Sequence, residues 1–392
     1  MHPNTNPFNP GAGAPPFALV GRDAEIAACT AAVERLALGR GGRGILAYGL
    51  RGAGKTVLLG RFAQDAALRG WIAVRIEADP ASASPFIERL AERLTPELRR
   101  LVRPSMSERA LTALAALRGF RVAIGLDEVS FGVDIDTRYA VAMSGRPAHD
   151  LPELLLAIAA AQAEHRAGLM IAVDEMQDLD QESLTAVLRT VQEANLRSLP
   201  LLVCGAGLPS LPRVLGRARS YAERMFDYRE LGPLDTQDTR RALVEPVAHL
   251  GETWNPDALA RIVEVSGGYP YFIQVFGKAA WESADSSPVS GDDAAAAERA
   301  GFAELDRGFF RARWDRATRA EQGYLAAMAE DGDGPSLVAD VGDRLGRGAE
   351  GVSNLRARLI DKGIVYAPKR GEIAFTVPGM ATFIAREARA TS

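Results

Sequence analysis

The apolar run Ile45-Leu46-Ala47-Tyr48 breaks into Gly49-Leu50-Arg51-Gly52-Ala53-Gly54-Lys55-Thr56, and this transition constrains the chain more than any other. A strand has to end there and a helix begin. In G-x-x-x-x-G-K-T spacing the glycines let consecutive backbone N–H groups curl inward around an anion, while the following helix aims its positive end at it. The expected ligand is a nucleoside triphosphate. Gly49, Arg51, Gly52, Ala53, Gly54 and Val57 would surround its phosphates, Lys55 would sit on the β- and γ-phosphates, and the Thr56 hydroxyl would reach Mg²⁺. Val57, Leu58, Leu59, Phe62 and Ala63 then give an apolar helical face that anchors the loop on its sheet.

At 392 residues the chain has room for two or three domains with well-buried cores. Its two cysteines, Cys29 and Cys204, are far apart and belong to no C-x-x-C pair, which argues against a disulfide framework or a zinc site and for a reducing, cytoplasmic setting. No apolar run has the roughly 18 residues a membrane span needs. The segment 1–16, rich in Pro, Gly and Asn, reads as a disordered tail rather than a signal peptide. A net charge of −4 excludes a chain that coats nucleic acid everywhere, but leaves room for one basic module.

The order strand Ile45 to Tyr48, helix Thr56 to Leu68, strand Trp71 to Ile76 opens an α/β fold with parallel strands. Helices over Pro85 to Leu94 and Ser107 to Leu117 follow, then alternation over Arg121 to Ile135 that reads as a hairpin. Two further strands, Leu169 to Val173 and Pro200 to Cys204, are separated by a helix over Gln181 to Asn195. Past Asp235 the pattern is helical. The expected division is a nucleotide-binding domain over 17–234, a helical lid over 235–285, a linker with a connecting helix over 286–317 and a last module over 318–392.

Triphosphate hydrolysis needs a carboxylate to hold Mg²⁺ and a neighbour to draw a proton from water. Asp174 and Glu175 suit these two roles, because they follow five apolar residues and so stand at the carboxyl end of a buried strand, where ligands of open α/β sheets gather. Asp127-Glu128 makes a similar pair, but Gly125 interrupts its strand and the alternation continues beyond it. That pair is therefore rejected.

Together these motifs resemble the initiator and STAND-related group of AAA+ ATPases, which includes the archaeal origin-recognition initiators. The likeness rests on the "GRexE"-like box Val20-Gly21-Arg22-Asp23-Ala24-Glu25, the Walker A loop Gly49 to Thr56, the Walker B segment Ile171 to Glu175, and Gly267-Gly268-Tyr269-Pro270. It implies ATP as the nucleotide, with Val20, Gly21, Arg22, Tyr269 and Pro270 enclosing adenine and ribose. It also implies an arginine finger, here Arg219 or Arg224, completing a neighbouring subunit's site in a homo-oligomer. Two departures stand out. The strand after Walker B, Leu202 to Gly207, offers only a thiol and backbone where the group has a polar sensor, and Gly268 to Tyr271 carries no lid arginine. Both favour slow turnover or a nucleotide-held switch.

From Thr318, three helices followed by a hairpin predict a winged helix, the module that initiator ATPases carry after their lid. Val352, Leu355, Leu359 and Ile360 share one face of its third helix, which turns Ser353, Asn354, Ala357, Arg358 and the acidic Asp361 outward toward a major groove. Lys369 and Arg370 form a wing tip on a phosphate track. Between Arg344 and Arg370 seven basic residues face two acids. The expected function is an ATP-dependent switch that binds duplex DNA. The alternative is a STAND-like signalling ATPase whose winged helix meets a protein. A small-molecule kinase would share the phosphate loop but neither the winged helix nor the Gly-Gly-x-Pro segment.

Overall fold

The computed structural model describes residues 1–100, 102, 106–127, 130, 131, 136–139, 141, 143–219 and 222–391. Five strands, β1 (Gly44–Tyr48), β2 (Ile72–Glu77), β3 (Leu169–Asp174), β4 (Leu201–Gly207) and β5 (Phe226–Glu230), form one parallel sheet in the order β2-β3-β4-β1-β5. Parallel neighbours cannot be joined by tight turns, so helices make the crossovers and cover both faces. Leu169, Ile171 and Val173 of β3 face the helices Phe86–Arg99, Glu108–Ala123, Pro147–Ala163 and Gln181–Leu196. Met170 and Ala172 face the helix Asp23–Ala37 and the loop helix Lys55–Leu68. Burial on both sides is why the central strands read as unbroken apolar runs. Strand β5 escaped that reading because it lies at the edge, where Asp227 and Arg229 pair with each other at 2.6 Å on half-exposed positions.

The hairpin expected over Arg121 to Ile135 is not formed. Residues 121–123 finish the helix Glu108–Ala123, which ends in a Schellman turn: the Gly125 N–H donates to the Val122 carbonyl at 3.1 Å and the Leu126 N–H to the Arg121 carbonyl at 2.9 Å. Gly125, with φ +78°, is a helix stop and not an interrupted strand. Positions 128, 129 and 132–135 lie outside the described residues.

Four helices, Thr236–His249, Pro256–Ser266, Pro270–Ser283 and Gly291–Glu304, build the helical body beyond the sheet. The last of these, expected to be a connecting segment, packs on Pro270–Ser283 so tightly that a Cβ at Gly301 would come within 2.3 Å of the Phe276 ring. The ion pair Lys278–Glu304 at 2.9 Å adds to this contact, and Arg261–Glu298 at 2.6 Å ties the same helix to Pro256–Ser266. Segment 1–16 is not a tail free of the body. Phe8 is buried against Gly277, the Trp281 indole N–H donates to the His2 carbonyl at 2.9 Å, and the Asn9 N–H donates to Gln274 Oε1 at 3.0 Å. An anchoring aromatic outweighs the disorder that Pro, Gly and Asn suggest.

The C-terminal region is helical with a small antiparallel sheet, the arrangement of a winged helix. Strands β6 (Ser336–Leu337), β7 (Val365–Tyr366) and β8 (Glu372–Phe375) pair in the order β6-β8-β7. The helix Arg319–Ala329 opens with a reciprocal cap between Thr318 and Glu321. The expected third helix is broken at Val352 into Gly348–Gly351 and Ser353–Asp361, and a final helix, Met380–Thr391, closes the region. One continuous apolar core runs from Ile273 and Phe276 of the helical body through Phe310 to Tyr324 and Phe383.

Candidate functional site

Strand β1 delivers Gly49 against the end of β5, where a Cβ would lie 2.2 Å from the Leu231 carbonyl oxygen, so nothing larger fits. Gly52 (φ +90°) and Gly54 (φ +86°) bend the loop through left-handed backbone that side chains disfavour. The Lys55 ammonium is buried and donates to the Gly49 and Leu50 carbonyls at 2.9 Å each. Burial lowers its pKa, and Glu175 and Asp174 oppose that shift. A buried lysine held this way costs desolvation energy that a polyanion in the loop offsets.

At the end of β3 the two acids have different surroundings. Asp174 accepts the Glu175 N–H at 3.0 Å and stands opposite Glu77 of β2 in the sheet register. Glu175 itself takes a left-handed conformation, φ 47° and ψ 41°, which costs a side-chain-bearing residue about 1–3 kcal/mol. Both of its carboxylate oxygens are engaged: Arg51 Nη1 meets Oε1 at 2.9 Å and Gln177 Nε2 donates to Oε2 at 2.8 Å. Glu77 and Asp178 complete an acidic rim. The Asp178 carboxyl is pushed up to about 6 by burial and by negative Glu175.

Gln177, which follows the Asp174-Glu175 pair in the sequence motif, had been given no role of its own. Its Oε1 accepts the Leu208 N–H at 3.0 Å, so one side chain ties the end of β4 to Glu175. A Cβ at Gly207 would lie 2.2 Å from that oxygen, which explains the glycine. The usable signal was the glutamine two residues after Glu175. The Cys204 thiol points to the other side of the sheet, where it meets Cys29, and takes no part in the site.

A cavity of about 390 Å³ opens over the loop, in the size range of small-ligand sites. Val20, Arg22, Arg51, Gly52, Ala53, Gly54, Lys55, Thr56, Val57, Glu175 and Pro270 line it. Arg22 also braces the loop from the side, donating to Gly232 at 2.7 Å and Ala53 at 3.4 Å. Gly21 (φ +68°) makes the turn before it. Tyr269 does not line the cavity. It caps the helix Pro270–Ser283, and its hydroxyl pKa is raised by burial and by Asp333 of the C-terminal region; Tyr271, two residues on, lines the cavity instead. Residues 9–14 form a wall that sequence analysis did not foresee, with Gly13 approaching Thr56.

The remaining expected residues stand apart. Arg219 and Arg224 are exposed, outside the cavity, and make no ion pair among the described residues, so they contribute nothing to this chain's own site. Ser353, Asn354, Arg358, Lys369 and Arg370 are all exposed. The basic footprint is thinner than the count suggested, because Arg344 is bound to Asp331 at 2.5 Å and Lys362 to buried Glu321 at 2.5 Å. Among the described residues no helix is long and apolar enough to cross a membrane.

Comparison with known proteins agrees with the geometry. Residues 18–204 match the AAA ATPase domain family, and residues 307–384 match a family described only as a domain of unknown function. No curated protein matches the chain. Among solved structures, the Walker-type ATPase PABY2304 of Pyrococcus abyssi superposes with a TM-score of 0.59 at 15% identity, covering 94% of this chain and 96% of that one. Aeropyrum pernix Orc1 in complex with DNA (TM-score 0.46, 17% identity, 96% and 95% covered) and the Thermotoga maritima RuvB Holliday junction branch migration motor (0.46, 15%, 93% and 96%) are more distant. At these identities the first likeness is one of fold.

Proposed function

We propose that the chain is an ATP-dependent switch that hydrolyses ATP slowly and uses its winged-helix region to bind duplex DNA. The observation that carries this reading is the state of Glu175, whose two oxygens are held by Arg51 and Gln177 within the cavity that contains Lys55 and Thr56. A carboxylate so engaged is a poor proton acceptor until one donor leaves, which suits a switch better than a fast motor.

The oxygen donors of Thr56 and Asp174 suit hard Mg²⁺. Such an ion, when bound, neutralises developing charge on the phosphates. Lys55 and the loop N–H groups orient the triphosphate, Val20 and Pro270 bound the base end, and Glu175, once released by Arg51, accepts the proton of the attacking water.

The C-terminal region lies against the phosphate loop: the Arg51 N–H donates to the Thr376 carbonyl at 2.9 Å, and Arg213 donates to Ala367 at 3.3 Å. A change at Arg51 is thereby passed to the face that carries Ser353, Asn354, Arg358, Lys369 and Arg370. Phosphate release measured with and without duplex DNA tests the reading. DNA should alter the rate and bind in a salt-dependent way. Hydrolysis indifferent to DNA, with no binding at low salt, would favour the protein-contacting alternative.

A further inference from the structure

The cavity over the phosphate loop holds a cation from outside the ATPase domain. Arg313 stands on the short helix Arg311–Trp314, which follows the π-helical turn Leu305–Phe310, inside the region matched to the family of unknown function. It lines the same cavity as Arg51, Lys55 and Glu175.

Its position is fixed by packing. The guanidinium lies 4.4 Å from the centre of the Phe309 ring and donates to the Phe309 carbonyl; Phe309 stacks on Tyr271 at 4.8 Å, and the Tyr271 N–H donates to the Gly52 carbonyl at 3.1 Å. This chain of contacts holds Arg313 over the loop. No carboxylate answers its charge among the described residues. Nε is buried without a hydrogen-bond partner, and Arg313 forms no ion pair among the described residues. Burial, and the cations Arg51 and Arg316, push its pKa down to about 10 against the opposing influence of Tyr271. The one carboxylate on the cavity wall, Glu175, is already shared between Arg51 and Gln177.

A half-buried guanidinium held by packing near other cations is a site suited to a polyanion. The neighbour that places it along the triphosphate is Arg51, whose side chain reaches the hydrolytic end at Glu175. Resting on the ATP-binding reading above, we propose that Arg313 binds the terminal phosphate of the nucleoside triphosphate, so that the region of unknown function reads whether ATP or ADP is bound. The signal has a short path: Phe310 stacks on Phe383 at 5.4 Å and Trp314 meets the same ring at 6.5 Å, which couples this turn to the final helix.

Calorimetry on the full chain with Mg²⁺ and either a non-hydrolysable ATP analogue or ADP tests this. Arg313→Ala should weaken the analogue about tenfold to hundredfold, the range for losing one charge-assisted hydrogen-bonding group, and ADP by less than about threefold. Arg313→Gln, which keeps the stem over Phe309 if the alanine variant does not fold, should show the same selective loss. Equal weakening of both nucleotides, or none, overturns the proposal while leaving ATP binding intact. Failure of the wild-type chain to bind either nucleotide overturns the ATP reading as well.

Discussion

The loop over Gly49 to Thr56 and the C-terminal region carry their positive charge in opposite ways. Around Gly49 to Thr56 one buried lysine sits in a loop of backbone N–H groups, held by glycines at φ +90° and +86° and by tight packing against the residue that follows β5. In the C-terminal region the exposed groups are the side chains of Arg358, Lys369 and Arg370, while Arg344 and Lys362 are consumed by internal acids. Preorganised backbone gives a strong, specific grip; mobile surface cations give a weaker one that depends on salt. The two regions meet at Arg51, whose backbone belongs to the C-terminal contact and whose side chain belongs to Glu175.

The comparison breaks most readily at the loop. Lys55→Ala should reduce ATP affinity by at least about hundredfold, since it removes a buried charge aimed at the phosphates; calorimetry that finds near-native affinity would dissolve the contrast. Glu175→Gln should keep ATP binding and lower phosphate release about 10²- to 10⁴-fold, the usual range for a lost general base. Gln177→Ala should act more gently, reducing turnover by about tenfold with ATP affinity unchanged, because it positions Glu175 and does not touch substrate. A parallel fall in affinity would instead make Gln177 part of the binding wall. At the weak end, replacing Arg358, Lys369 and Arg370 together by alanine should lower the salt slope of duplex binding by about one unit per lost phosphate contact. An unchanged slope, read from binding at several salt concentrations, would remove the DNA face from the comparison.

What could be read in advance follows how far apart in the chain the interacting groups lie. The loop, the Asp174-Glu175 pair and the central strands were legible because each is written in a few consecutive residues with a period that backbone geometry dictates. Gly125 misled because a glycine in an apolar stretch serves equally as a strand interruption or a helix stop, and only the pairing of Leu126 with Arg121 separates them. Tyr269 misled by a register of two, since the turn into Pro270 directs it toward Asp333 and leaves Tyr271 over the loop. Segment 1–16 misled because composition does not reveal that Phe8 has a pocket beside Gly277.

Local order along the chain thus sufficed to place the glycine-rich loop, its helix and the strand that ends in Asp174, because those elements obey short-range sterics and burial. The Arg51–Glu175 pair spans 124 positions, and Arg313 reaches the cavity from beyond the helical body. No spacing rule connects such residues. They meet because Phe310, Tyr271 and Phe383 pack into one core that sets the angle at which the C-terminal region lies on the sheet, and that packing exists only once the whole chain has folded.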